Sequence, residues 1–388
     1  MILEFDTYID QVPYPNLARH QARPYTAAWR QFSTVWPFSE PVVLLDYLEQ
    51  DAIKVSHCQE RWYIIALSYF DFSIDWFELM PLYRKTQLQQ AEIMLVFYYS
   101  EGDNPMRIRH HLENQCINNS VPIEQLRLIS ANSSADLMPN CAWFADDEML
   151  YRLRNKNITA LQFHQRPRKK LFTALVRTHK WWRAATMSEL WRQGWHKHGF
   201  FSYNTLIDIG EPKTNNPLEL DSIYGLESSM NLFLKQKFTA DNLTSDQHNN
   251  HHLCVQEHFL DSYLNVVLET HMDVDQSHGV FITEKTFKPI KHAQPFVIFG
   301  AAHTLKKLQD LGYKTFDSVI DNSYDSIENT TQRWICLISI LNHMFSQGPV
   351  YMHQVLSACK DDLLHNQKIF LQNKQGRIQF LLDKLSCK

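Results

Sequence analysis

The first half of the chain alternates short apolar runs with polar stretches of helical character. Residues 93–99 are aliphatic and aromatic and are followed at once by a polar turn, which predicts a buried strand. A helix is predicted over 105–118 and the next strand over 126–130, and apolar runs at 41–45 and 62–67 precede them. A strand, a helix and a second strand in this order are typical of a parallel sheet.

The same alternation begins again after a basic, polar segment at 152–170, which we interpret as the connection between two domains. Gly312 is predicted to follow the last helix before the tail in the left-handed conformation. Pro289 predicts that the helix around it is kinked or short. The strands predicted in this half are 171–176, 263–268 and 295–299, and the helices are 180–193, 282–292 and 303–311.

Three further segments complete the predicted organisation. Residues 1–45, rich in Pro, Tyr and Trp, are predicted to be irregular, residues 241–252 to form a surface loop, and the tail from about 331 to be helical. The pattern predicts an α/β protein of two Rossmann-like domains with a helical tail that packs back on them. In such sheets ligands bind at the carboxyl ends of the strands. The predicted domains are 1–160 and 161–330, followed by the tail at 331–388.

Composition and charge argue against several functions. The 388 residues include 10 glycines, and 38 basic against 42 acidic residues give a net charge of −4. That charge counts against a protein that coats nucleic acid. Neither the G-x-G-x-x-G fingerprint nor the P-loop occurs in the sequence. A bound phosphate group would therefore be held by side-chain cations or by helix N-termini.

Cysteine usage and the N-terminus bear on the compartment. The 7 cysteines are scattered and none forms a C-x-x-C pair, so neither a disulfide framework nor a zinc ribbon is predicted. The first residues lack the features of a signal peptide, and no apolar run is long enough to span a membrane. We therefore expect a cytoplasmic protein without a membrane span.

The most informative segment follows the strand predicted at 263–268. Glu269 stands at the end of this strand, and Thr283, Glu284 and Lys285 stand where a helix is predicted to begin. A carboxylate beside an ammonium group at a helix N-terminus suits a sugar nucleotide. The carboxylate can accept the ribose hydroxyls, while the ammonium and the free backbone N–H groups meet the diphosphate.

This series of residues resembles the donor-binding signature of fucosyltransferase-like and exostosin-like glycosyltransferases. The shared features are a strand-end Glu, then Thr-Glu-Lys, an apolar helix and a Pro-x-Val-x-x-Gly strand end at 295–300. In its longer form the segment looks still more like uncharacterised glycosyltransferase-type proteins of phages and bacteria. The resemblance implies the GT-B arrangement of two domains and a nucleotide sugar as co-substrate, with no other cofactor. Glu284 would hold the ribose, and Glu269 would shape the pocket for the sugar or the nucleotide.

Basic residues follow the strand predicted at 171–176. Arg177, Lys180 and Arg183 lie where this strand ends, which makes them candidates for neutralising the leaving diphosphate. A glycosyltransferase that works without a metal must stabilise this charge with protein cations. The full predicted donor site consists of Arg177, Lys180, Arg183, Glu269, Thr283, Glu284 and Lys285.

Two carboxylates in the first half are candidates for the catalytic base. Glu101 and Asp103 follow the strand predicted at 93–99. Transfer to an acceptor hydroxyl with inversion needs a carboxylate or a histidine that removes the proton. One alternative is an ordinary turn without a catalytic role, and another is that Asp103 caps the helix that begins at Pro105.

No metal site is expected. The 19 histidines, including the group in the loop at 241–252, do not show the spacing of known metal ligands. Asp273 and Asp275 form the D-x-D pattern that metal-dependent glycosyltransferases of the other major fold use. Here the pattern lies in a loop between the donor-site strand and Thr-Glu-Lys, which is a different context.

The sequence therefore predicts transfer of a sugar from a nucleotide sugar to an acceptor hydroxyl of a glycan or small molecule, and two alternatives stay open. In the first, the acceptor is a hydroxymethylated pyrimidine in DNA, as the likeness to phage proteins allows, and the base would have to be flipped out of the duplex. In the second, the chain is a nucleotide- or sugar-binding module without catalysis. Slow hydrolysis of the donor would distinguish an enzyme from a binding module.

Overall fold

The structure, a computed structural model, shows two compact units. The first consists of Met1–Leu153, Asp275–Phe281 and Asn373–Lys388, and the second of Arg154–Val274 and Ile282–Gln372. The predicted boundary at residue 160 lies seven residues beyond Leu153. The residues that the structure describes are 2–4, 61–67, 70, 72–73, 75–78, 80, 82–99, 102–145, 160, 162–203, 218–219, 225–238, 255–273 and 279–372.

The first unit is built on a parallel sheet of five strands in the order β1-β2-β3-β4-β5. Every residue of the strand over Met94–Tyr99 is buried, as expected for a parallel strand with both faces covered. Aromatic and aliphatic side chains such as Phe97, Trp76 and Leu112 form the core. The strands are β1 (Ile2–Glu4), β2 (Arg61–Leu67), β3 (Met94–Tyr99), β4 (Leu126–Ser130) and β5 (Cys141–Trp143).

Two α-helices belong to the described part of the first unit, α1 (Leu82–Gln89) and α2 (Pro105–Asn118). Helix α2 begins where its sequence dictates: the Asn104 side chain accepts the N–H of Met106 at 2.9 Å, and proline occupies the first helical position, where no N–H is needed. Its buried residues include Ile108, Leu112 and Cys116, spaced four apart on one face. This face packs into the core of the first unit.

The second unit contains a parallel sheet of four strands in the order β7-β6-β8-β9. The chain moves from β6 to β7 on one side and then returns to β8 on the other, so the strand order reverses between β6 and β8. Ligands of open α/β sheets bind in the crevice beyond the carboxyl ends of such a pair of strands. The strands are β6 (Lys170–Val176), β7 (Gly199–Tyr203), β8 (Ser262–Leu268) and β9 (Phe296–Phe299).

Helices pack on this sheet and complete the second unit. Phe345 stacks on Phe172 of β6 with ring centroids 4.7 Å apart, and Phe370 packs on Phe287 at 6.3 Å. The tail helices up to Gln372 therefore belong to the core of this unit. The helices are α3 (Trp181–Arg192), α4 (Leu226–Phe233), α5 (Gln256–Leu260), α6 (Glu284–Lys291), α7 (Thr304–Asp310), α8 (Thr330–Ser346), α9 (Gly348–Ala358) and α10 (Lys360–Gln372).

The prediction of an α/β protein with parallel sheets is confirmed. Gly312 follows α7 with φ of 90°, and the N–H of Tyr313 donates to the carbonyl of Leu308 at 3.0 Å, as in a Schellman motif. Helix α6 is short, eight residues with Pro289 at its sixth position. The prediction of an irregular N-terminus was wrong for residues 2–4, which form β1.

Several sequence-based predictions lie outside the described residues. These are the apolar run at 41–45, the loop at 241–252, most of the irregular N-terminus, part of the connection at 152–170 and the tail beyond Gln372. Among the described residues, no helix combines the length and the apolar character that crossing a membrane requires.

Candidate functional site: a cationic site at the strand reversal

The predicted donor residues of the second unit lie around the carboxyl ends of β6 and β8. Arg177 follows the last residue of β6, and Glu269 follows the last residue of β8. The two strands are parallel neighbours, so both residues lie at the same edge of the sheet. This edge is the point of strand reversal, where the fold favours a ligand site.

Glu269 holds the start of α6 in place. Its side chain is 1% exposed, and its Oε1 accepts the backbone N–H of Thr283 at 3.1 Å and the hydroxyl of Thr286 at 2.5 Å. Its Oε2 accepts the hydroxyl of Thr283 at 2.6 Å and the N–H of Thr270 at 3.2 Å. The carboxylate thus connects the end of β8 to the first turn of α6. Its role in the site is to position the residues of that turn.

Thr283 caps α6 and orders the lysine beside it. Its Oγ1 accepts the backbone N–H of Lys285 at 3.4 Å and a hydrogen bond from Lys285 Nζ at 3.0 Å. Lys285 Nζ also donates to Thr270 Oγ1 at 3.3 Å and lies 3.3 Å from Glu284 Oε1. The lysine side chain remains 30% exposed. An ammonium group is therefore held at the positive end of the α6 dipole, where solvent reaches it.

Arg183 joins the two strand ends from α3. It is buried, and its Nη2 and Nε donate to the backbone carbonyl of Glu269 at 2.6 Å and 3.2 Å. Its Nη1 donates to the carbonyl of Thr178 at 3.2 Å. These bonds explain why α3 begins close to β8. They also bring a fixed guanidinium charge to the site without requiring that it touch a ligand.

Arg177, Lys180 and Glu284 complete the set of predicted residues. Burial lowers the pKa of the Arg177 guanidinium, and the nearby Glu284 carboxylate partly offsets this effect. Lys180 occupies the N-cap position of α3 and is partly buried. Glu284 itself is buried at the first position of α6. All seven predicted donor residues therefore lie in one unit, at one edge of its sheet.

His271 belongs to the same group, and the sequence analysis did not select it. It follows β8 by three residues and is partly buried. Burial, together with Lys180, Arg183 and Lys285, lowers the pKa of its imidazole to about 3, so the ring is neutral at pH 7. Three cations from two helices therefore act on one ring. The sequence signal that could have identified His271 is its position two residues after the strand-end residue Glu269.

In the first unit, Asp103 lies in the turn between β3 and α2. The hydroxyl of buried Tyr99 donates to its carboxylate, and the residue is exposed. The helix cap is Asn104, so the alternative in which Asp103 caps α2 was wrong. Glu101, the other predicted base, lies outside the described residues.

The residues considered as metal ligands do not come together where they are described. In the described part of the chain, no group of three or more His, Cys, Asp or Glu side chains has a suitable arrangement for a metal ion. Asp273 lies near the buried guanidinium of Arg333, whose pKa its charge raises against the effect of burial. Asp275 and the histidines of the loop at 241–252 lie outside the described residues.

Comparison of the chain with protein-family models, with curated proteins and with solved structures finds no match.

Proposed function

We propose that this protein is a glycosyltransferase that moves a sugar from a nucleotide-sugar donor to an acceptor hydroxyl. The observation that carries the proposal is the convergence of Arg177, Lys180, Arg183 and Lys285 at the strand reversal of the second sheet. Positive groups at this place suit an anionic ligand, because the fold directs ligands there and the α6 N-terminus adds its own partial charge.

In the transfer reaction these cations would stabilise the leaving diphosphate. The bond between the anomeric carbon of the sugar and the diphosphate oxygen breaks, and its electron pair leaves with the diphosphate. The acceptor oxygen forms the new bond to the anomeric carbon and gives its proton to a base. Cations fixed in advance around the leaving oxygen stabilise the charge that develops in the transition state. Lys285 is the best placed of them, because its Nζ is held by hydrogen bonds and its side chain is partly exposed.

The remaining roles follow from the resemblance noted above. Glu284 is proposed to hold the ribose. Glu269 and Thr283 hold the first turn of α6 in the position where it would bind the diphosphate. We also propose the GT-B arrangement, in which one domain holds the donor and the other presents the acceptor. In that arrangement Asp103, or Glu101 two residues earlier in the sequence, is the base. A cytoplasmic location and independence of metal ions belong to the same proposal.

Binding of nucleoside diphosphates and nucleotide sugars tests the proposal directly. A ligand present at 100 times its Kd should stabilise the protein by about 2.7 kcal/mol, which a thermal shift assay detects. Lys285→Ala should weaken a nucleoside diphosphate by about 10- to 150-fold, because a charge-assisted phosphate contact is lost, and should leave the nucleoside almost unchanged.

The matched control is Lys306→Ala, which removes an exposed lysine of α7 in the same unit. It should leave all affinities unchanged. Hydrolysis of the preferred donor without an acceptor then separates an enzyme from a binding module. Equal losses for nucleoside and diphosphate in Lys285→Ala, or no binding of any ligand of the panel to the unaltered protein, would overturn the proposal.

A further inference from the structure

The turn between β6 and α3 carries an aromatic surface beside its cations. Trp181 is the first residue of α3 and stays partly exposed, whereas the next residue, Trp182, is 3% exposed. Neighbouring helical residues point about 100° apart, so one indole joins the core while the other stays at the surface. Since α3 begins at the carboxyl edge of the sheet, Trp181 lies at the same edge as the cationic site.

The position of Trp181 is fixed by two other aromatic residues. Its ring meets that of buried His179 edge-to-face, with centroids 4.8 Å apart and an angle of 86°. His179 Nδ1 in turn lies 2.7 Å from the hydroxyl of Tyr203, the last residue of β7. Tyr203 is itself buried and packs on Phe233 at 5.1 Å. The indole is therefore anchored to the core, so its side chain loses little conformational entropy when a ligand stacks on it.

The charges next to Trp181 indicate what such a ligand carries. Lys180 precedes it directly, and Arg183 follows within one helical turn. A ligand that rests on the indole and reaches the partly buried Lys180, close to the buried charge of Arg183, joins a flat aromatic ring to an anionic group through a short link. A nucleoside diphosphate has this construction, since only the ribose separates its base from its phosphates. Stacking on an aromatic side chain suits any base, because every base presents a π-face.

We infer that Trp181 is the stacking surface for a nucleobase, so that the cationic site receives a nucleoside diphosphate rather than an inorganic or sugar phosphate. The inference rests on the proposed function and names the part of the donor that the site selects. His179 and Tyr203 are positioning residues for the indole. Lys285 and Trp181 then act on different parts of one ligand.

Two probes separate the contributions of base and phosphate. The affinities of ADP, GDP, UDP and CDP are measured beside that of inorganic pyrophosphate. Trp181→Ala should weaken the best nucleoside diphosphate by about 5- to 150-fold, the loss expected when a base loses its aromatic partner. It should change the affinity for pyrophosphate by less than about twofold, whereas Lys285→Ala should weaken both ligands.

A second readout follows the indole itself. Base stacking should quench part of the tryptophan fluorescence of the unaltered protein. Trp181→Phe should abolish this quench while keeping much of the affinity, since a phenyl ring still stacks. The control, Trp191→Phe, changes a partly exposed tryptophan ten residues along α3, about 15 Å from Trp181, and should keep the quench.

The outcomes separate the inference from the function on which it rests. If Trp181→Ala weakens pyrophosphate as much as the nucleotide, or if Trp181→Phe keeps the quench, the nucleobase does not stack there and the inference is wrong. The proposed function survives that result as long as Lys285→Ala still loses affinity. If neither pyrophosphate nor any nucleotide binds the unaltered protein, the proposed function and the inference are both wrong.

Discussion

Replacing Glu269 with glutamine should loosen the first turn of α6 and destabilise the second unit. Each carboxylate oxygen accepts two hydrogen bonds: Oε1 from Thr283 N and Thr286 Oγ1, and Oε2 from Thr283 Oγ1 and Thr270 N. When the amide nitrogen of glutamine takes the place of either carboxylate oxygen, it faces two hydrogen-bond donors and can accept a hydrogen bond from neither. The substitution keeps the size of the side chain, so the loss comes from these bonds and not from a cavity.

The magnitude follows from the number of bonds lost. A hydrogen bond to a charged group contributes about 1.5–3 kcal/mol. If neither of the two lost bonds were replaced, the substitution would therefore cost about 3–6 kcal/mol. In both orientations one of the two donors is a threonine hydroxyl, which can turn and accept from the new amide. The other donor is a backbone N–H, either that of buried Thr283 or that of partly buried Thr270, and a backbone N–H cannot turn. We therefore expect Glu269→Gln to lower the free energy of unfolding by about 2–4 kcal/mol.

The chain forms two compact units and multi-domain proteins often depart from two-state unfolding, so the measurement should report on the second unit alone. Hydrogen exchange of peptides from β8 and α6, followed by mass spectrometry, gives the opening free energy of these elements. The matched control is Glu328→Gln, whose side chain is 69% exposed and pairs with His303, and it should cost about 0–1 kcal/mol. An opening free energy of Glu269→Gln within about 0.5 kcal/mol of the unaltered protein would refute this account of α6, because the lost bonds are charge-assisted.

Three other predictions concern the site and its chemistry. The pKa of His271 is about 3 in the folded protein against 6.5 unfolded, so its contribution to stability is present above pH 6.5 and is lost as the pH falls from 6.5 towards 3. His271→Gln should therefore flatten the stability–pH curve in this window by at most about 1.4 kcal/mol per pH unit, measured by hydrogen exchange of the β8 and α6 peptides. An unchanged curve would contradict the lowered pKa. Asp103→Asn should lower kcat by about 10²–10⁴ in a transfer assay and leave donor affinity and stability almost unchanged, because Asn104 caps α2; near-normal kcat would move the base elsewhere. Transfer should persist in EDTA, since the proposed mechanism uses protein cations, and activity that returns only with manganese or magnesium would reject this prediction.

The elements that the sequence predicts well are those with a dense apolar run and clear boundaries. Residues 126–130 form β4 with the predicted ends, because the segment is fully buried and a polar turn follows it. Three strands were missed for physical reasons, namely β1, which has three residues within the segment predicted to be irregular, β5 and β7. Strand β5 has only three residues. Strand β7 begins with a glycine and contains a serine, and alternate residues are only partly buried, so its apolar signal is weak.

The site residues could be predicted as a group but not in their individual roles. The order β7-β6-β8-β9 places the ends of β6 and β8 side by side, and nothing local in the sequence encodes that order. Arg183 was selected for its charge, and the structure shows its guanidinium on the backbone carbonyls of Glu269 and Thr178. The role of Glu269 likewise depends on threonines 14 and 17 residues away, which reach it only after α6 has formed.

The Thr-Glu-Lys motif on its own has a sufficient structural explanation, since Thr283 caps α6 and Glu269 secures the cap. Helix capping does not explain why Lys180, Arg183 and Lys285 act together on His271. Like charges that folding brings together raise the free energy of the folded state. Burial is the main cause of the lowered pKa of the imidazole, and the positive potential of the three cations lowers it further. An anion bound among these groups would relieve the repulsion. The potential at His271 therefore argues for an anionic ligand independently of the resemblance, and a bound diphosphate should raise the pKa of His271, so that its binding is accompanied by proton uptake as the pH is lowered towards that pKa.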